Sequence, residues 1–219
     1  MVSGGRVDAA DRRPIAARNL GATQKVAAWL VARGASPNGI SLAGMAAGLG
    51  AGLAFAATDW LPGGAWLFWL LGAALVQARL MANLFDGMVA IGRGVASPVG
   101  ELFNEVPDRV SDTAVLLGLG VAAGSVALGL AAALAAMATA YVRTTARAAG
   151  APSDFCGPMA KQHRMALATA LGVWCAVVPA AWSGGAWAPW TVLAVILAGS
   201  LATAWRRLAR AAAALEAKP

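Results

Sequence analysis

Between Asn83 and Asp112 the chain reads NLFDGMVAIGRGVASPVGELFNEVPDRVSD, and five of its ten acidic residues fall here: Asp86, Glu101, Glu105, Asp108 and Asp112. Two asparagines, Asn83 and Asn104, stand among them. On a helix turning about 100° per residue, Glu101, Asn104, Glu105, Asp108 and Asp112 lie within an arc of about 100°. Asn83 and Asp86 share a second face, with Arg79 one turn earlier. Ionisable groups among apolar neighbours must pair, coordinate a cation or line a wet cavity. Two chemistries are therefore open, a salt-bridged polar seam between helices and a hard-cation site. Oxygen ligands crowd together here without a matching number of basic residues, which favours the cation.

The elements that must position these groups are apolar. The 219 residues are 59% hydrophobic and 12% charged, interrupted by Gly, Pro and Arg, as expected of an all-α polytopic membrane protein. The net charge of +7 comes from basic residues scattered over segment ends. Orientation in a bilayer accounts for that scatter, and no nucleic-acid partner is expected. Cys156 and Cys175 form no paired-cysteine motif, and the single histidine, His163, makes no histidine metal centre.

Residues 1–38 read as a cytoplasmic juxtamembrane segment, rich in arginine and lacking a signal-peptide core. Within it TQKVAAWLVARG has helical spacing and suits either an interfacial helix anchored by Trp29 or a soluble juxtamembrane helix. A membrane domain at 39–213 follows, with a tail at 214–219. Six spans are expected, at about 40–57, 65–90, 100–123, 126–140, 161–182 and 188–204, each matched to a bilayer core of roughly 30 Å. Gln77, Arg79, Asn83 and Asp86 confine the polarity of the second span to its inner half, which must face protein or water. The three far-side turns contain no Lys or Arg, so the termini and the polar cluster belong on the cytoplasmic side. Gly44, Gly48, Gly50 and Gly52 suit close helix packing. Arg143, Arg147, Lys161 and Arg164 meet the polar side, either to bind an acceptor phosphate or lipid headgroup or only to orient the chain.

The central stretch resembles the signature of the CDP-alcohol phosphatidyltransferase family, D-x2-D-G-x2-A-R-x8-G-x3-D-x3-D. Asn83 stands at the first aspartate, then Asp86, Gly87 and Ala90; Ile91 replaces the arginine; Gly100, Asn104 at the third aspartate and Asp108 at the fourth complete it. SPNGISLAG is similar to the start of the family's first helix, YVRTTARAAG to the end of its fourth, and CGPMAKQHRMA to its phosphate-binding loop. The likeness runs over residues 36–210 and implies six transmembrane helices.

The resemblance also implies a site. Asn83, Asp86, Asn104 and Asp108 would hold Mg²⁺ or Mn²⁺ on the diphosphate of a CDP-linked donor, with Asp108 also the base on the acceptor hydroxyl. Asn38, Asn83, Asp86, Gly87, Ala90 and Gly100 would line the nucleotide, the glycines allowing close approach. Each asparagine keeps an oxygen ligand but removes a negative charge, and Glu101, Glu105 and Asp112 share the face of Asp108 and are candidates to supply it. The implied activity is transfer of a phosphatidyl group from CDP-diacylglycerol to a small alcohol or alcohol phosphate, releasing CMP, in phospholipid biosynthesis. The implied setting is the cytoplasmic face of a bacterial inner (plasma) membrane, among membrane lipids, and a homodimer is compatible with it. Two rivals are a degenerate homologue that binds CDP-lipid or nucleotide and regulates a partner, and a small transporter. Against transport, the polar residues stop halfway through the spans.

Overall fold

The structure, a computed structural model, describes residues 20–95, 98–179, 182 and 185–217. Expectations for residues 1–19, for the Glu101 side chain and for Ser183 and Gly184 lie outside the described residues. Within them the chain is helical throughout. The helices are α1 (Gly21–Ala32), α2 (Pro37–Trp60), α3 (Ala65–Gly92, after a 3-10 turn at Pro62–Gly64), α4 (Pro98–Ala122), α5 (Val126–Ala148), α6 (Lys161–Val177) and α7 (Trp187–Glu216).

Local chemistry sets the boundaries. Ser36 Oγ accepts a hydrogen bond from the Gly39 N–H at 3.3 Å, and Pro37 pre-sets the first turn of α2. Ser125 Oγ does the same for α5, accepting from the Leu128 N–H at 3.3 Å. Between α4 and α5 the chain reverses at Gly124, whose φ of 66° suits glycine. Helix α6 ends at Val177, earlier than the expected 182. Val178 is already extended (φ −83°, ψ 133°) because it precedes Pro179, and the α conformation is disfavoured there.

Among the described residues four stretches are long and apolar enough to cross a membrane: Pro37–Trp60, Pro62–Gly92, Val126–Ala148 and Trp187–Glu216. The other two long helices, the acidic α4 and the 17-residue α6, pack within the bundle, α4 on α2 and α5, and α6 on α3.

Helix α2 lies between α3 and α4, and small residues hold the three close. A Cβ added to Gly52 would collide with the Ala114 carbonyl, one on Gly118 with the Gly52 carbonyl, and one on Gly48 with Ser111. Toward the far side the core fills with Phe55, Trp69, Leu116, Leu119, Leu193 and Ile196. The Phe55 and Trp69 rings stand 5.5 Å apart. At the other end the same close approach lets short polar side chains from different helices touch.

Candidate active site

Three helices bring the acidic stretch together. Asp108, on α4 just after Pro107, receives Arg79 Nη2 on Oδ1 at 2.8 Å, and the same Oδ1 accepts from Asn83 Nδ2, both from α3. Its Oδ2 is ion-paired with Lys161 at the start of α6, and Arg109 lies 3.6 Å away, beyond hydrogen-bond range. One turn deeper, Asp112 joins two guanidiniums: Arg79 Nη2 on Oδ1 at 3.0 Å and Arg164 Nη2 on Oδ2 at 3.0 Å. Arg79 is wholly buried, and Arg164 also donates to the Met159 carbonyl at 2.8 Å. The salt-bridged seam, the less favoured of the two chemistries open from the sequence, is thus present, built from Arg79, Asp112 and Arg164.

Asp86 is placed differently. It is 3% exposed, accepts from Ser41 Oγ of α2 at 2.8 Å and from the Gly87 N–H, and makes no ion pair among the described residues. Ser41 is anchored in turn, its hydroxyl also reaching the Pro37 carbonyl at 3.1 Å. Apart from its chain neighbours and the adjoining α3 backbone, no protein atom lies within 4 Å of where a Gly87 Cβ would stand. That glycine faces open space beside Asp86, which suits an approaching ligand better than a packed helix.

The remaining expected residues scatter around this nest. Asn104 is exposed, one turn before Asp108. Asn38 lies in the first turn of α2, Ala90 one turn beyond Asp86, and Gly100 near the start of α4. Glu105 pairs with Arg143 of α5 and sits 3.7 Å from Arg109. Of the four basic residues expected to meet a phosphate, Lys161 and Arg164 lie against Asp108 and Asp112, while Arg147 is exposed at the end of α5.

Arg143 opens onto a second feature, a cleft of about 280 Å³ between α5, α7 and the loop before α6. Its polar lining is Arg143, Ser153, Asp154, Arg207 and Arg210. Arg207 bonds to the Cys156 and Thr139 carbonyls at 2.9 and 2.8 Å, while the exposed Arg210 sits 3.4 Å from Asp154. Burial alone would raise the Asp154 carboxyl, but hydrogen bonds from the Cys156 N–H and thiol, with the charges of Arg210 and Arg207, hold it below the usual range. The cleft and the nest are linked through Arg143, Glu105, Arg109 and Asp108. Sequence reasoning gave Arg207 and Arg210 only a topological role. Their i, i+3 spacing, on a helix that continues past its apolar span, was the available signal.

The donor set accommodates a hard cation. Among the described residues no three His, Cys, Asp or Glu side chains converge on one point. What stands at this end of the bundle is Asp86 with Asn83 one turn before it on α3, and Asn83 ties that helix to the Asp108 carboxylate through its amide nitrogen. The buried Asp86 carboxylate makes no ion pair among the described residues, with Lys161 acting on it only from a distance, a condition that favours a bound cation.

No protein-family model matches the chain, and no curated protein matches it. Solved structures do. The phosphatidylinositol phosphate synthase of Mycobacterium tuberculosis with CDP-DAG bound is 21% identical, with a TM-score of 0.72 over 86% of this chain and 92% of that one. The same enzyme in complex with manganese and citrate gives 21% and 0.72 over 86% and 88%. Its apo form gives 21% and 0.68 over 85% and 94%. The chain shares the fold of this synthase.

Proposed function

We propose that the chain is an integral membrane phosphatidyltransferase that moves a phosphatidyl group from CDP-diacylglycerol to a small alcohol or alcohol phosphate and releases CMP. One observation carries the reading: α3 presents Asp86 beside the open space at Gly87, and one turn earlier its Asn83 holds the Asp108 carboxylate of α4. The shared fold supports it, since the structural neighbour was solved with CDP-DAG bound. In this reading all six long helices cross the bilayer, α1 rests in the interface through Trp29, and both termini face the cytoplasm of a bacterial inner membrane.

The roles follow from the contacts. Asp108 is the base. Arg79 and Asn83 occupy Oδ1 and Lys161 one lone pair of Oδ2, which leaves the second Oδ2 lone pair for the acceptor hydroxyl proton. Asp86, with the Asn83 amide oxygen, would hold a divalent cation, Mg²⁺ or Mn²⁺, which when bound would supply positive charge for the leaving CMP. Gly87 lets the nucleotide approach the α3 backbone, and Asn38, Ala90 and Gly100 border it. The cleft beside Arg143 takes the acceptor. Its arginines suit an anionic group, Arg210 being the more exposed of the two from α7.

The test is product formation. Purified chain, CDP-diacylglycerol, Mn²⁺ and a panel of alcohols and alcohol phosphates should yield CMP and one new phospholipid by mass spectrometry. CDP-lipid binding without CMP release from any acceptor would favour the regulatory homologue, a reading that the two asparagines and Ile91 at motif positions also suit.

A further inference from the structure

The two sides of the polar nest are charged differently. On the α4 side, Asp108 and Asp112 face Arg79, Lys161 and Arg164, with Arg109 3.6 Å from Asp108, two carboxylates against four cations. On the α3 side, buried Asp86 has only neutral partners among the described residues, the Ser41 hydroxyl and the Gly87 N–H. Asn83 adds no charge. It donates its amide nitrogen to Asp108, so its oxygen is the atom left to act as a ligand.

A divalent ion on the Lys161 side of Asp108 would sit against an ammonium and two guanidiniums, where like charges repel strongly in a poorly solvated site. An ion at Asp86 meets a milder condition: the Lys161 charge reaches this carboxylate too, but among the described residues no cation stands within ion-pair distance of it, and its hydrogen-bond partners are neutral. We propose that the site takes a single divalent cation, on Asp86 and the amide oxygen of Asn83. Lys161 is then a built-in cation on Asp108, where a second ion would otherwise sit. With one of its three N–H groups on Asp108, the ammonium keeps two for the anionic oxygens of the donor diphosphate. This rests on the phosphatidyltransferase reading and adds to it how many ions that chemistry uses here.

Counting bound Mn²⁺ by electron paramagnetic resonance, on the full chain in detergent with CDP present, tests it. The parent should bind one Mn²⁺ per chain, and Asp86→Asn none at the same concentrations. Lys161→Met and Lys161→Gln should each gain a second Mn²⁺, whereas Lys161→Arg, which keeps the charge, should stay at one. Two ions in the parent, one retained in Asp86→Asn, or both neutral Lys161 variants binding like the parent would each overturn the proposal, as would a chain that binds none. CMP release, measured in parallel, separates the two levels. Release with two bound ions leaves the transferase standing and removes only the single-ion site, while no Mn²⁺ and no CMP release removes both.

Discussion

Asp112→Asn is the substitution whose effect is best fixed by contacts. Asp112 is buried, and both its oxygens are taken, one by Arg79 and one by Arg164, each at 3.0 Å. Asparagine keeps the shape but turns one acceptor into a donor facing a guanidinium. Arg79 retains Asp108, but Arg164 keeps only the Met159 carbonyl and becomes a buried cation without an anion. Removing one partner of a buried pair costs about 3–5 kcal/mol. At about 2–4 °C per kcal/mol for a chain of this length, the unfolding midpoint should fall by about 6–20 °C. The nine tryptophans make this readable by intrinsic fluorescence in detergent. The fall should be the same in chelator, because Asp112 acts on arginines and not on a metal. Removing Arg164 as well, in Asp112→Leu with Arg164→Met, should recover part of the loss, since no charge is then stranded. A midpoint within about 2 °C of the parent, less than 1 kcal/mol at this length, would refute the reasoning.

Asp108→Asn should lower kcat by about 10²- to 10⁴-fold with CDP-lipid binding largely kept; an equally fast variant would remove Asp108 as the base. Arg143→Ala and Arg210→Ala should raise the acceptor KM more than they alter kcat, and unchanged kinetics in both would remove the cleft as the acceptor site. Gly118→Leu places a side chain against the Gly52 carbonyl and should cost about 1–3 kcal/mol or more, measured by the same unfolding assay. A cysteine placed at Gly63 should react with an impermeant reagent only from outside the cell; labelling only from inside would break the six-span arrangement.

The positions of the helices were largely legible. Apolar runs and the glycine breaks each act over a few residues, so α3 and α5 begin where expected, while α2 begins about a turn early, at Pro37, which Ser36 caps. Helix α6 is shorter because Pro179 acts on Val178 before the apolar run ends. Helical spacing also placed Asn83 and Asp86 on one face and Asp108 and Asp112 on another. What spacing could not supply was partnership across helices. Arg79 reads as a cation sharing the face of Asn83 and Asp86, and Arg164 as a candidate phosphate ligand or a topological charge on α6. Only packing brings both onto Asp112 from residues 33 and 52 positions away. Arg207 was hidden for a related reason. A basic residue just past an apolar run looks like positive-inside charge, although its Nε and Nη1 donate to the Cys156 and Thr139 carbonyls.

The same partnership changes what the two asparagines mean. In the sequence, Asn83 and Asn104 stand where the resembled family has aspartates, and the loss of two charges points to a weakened cation site. In the structure, Asn83 donates to Asp108, which an aspartate could not do while ionised. A carboxylate at position 83 would instead face that of Asp108 and compete for Arg79 and Lys161. The substitution and the arginine therefore belong together: Arg79 brings fixed positive charge to the nest, and Asn83 removes the negative charge that would otherwise crowd it. Asn104, exposed and a turn away from these contacts, has no such pairing. Of the two replacements, the one at 83 is built into the site, so Asn83→Asp should disturb the position of Asp108 more than Asn104→Asp does.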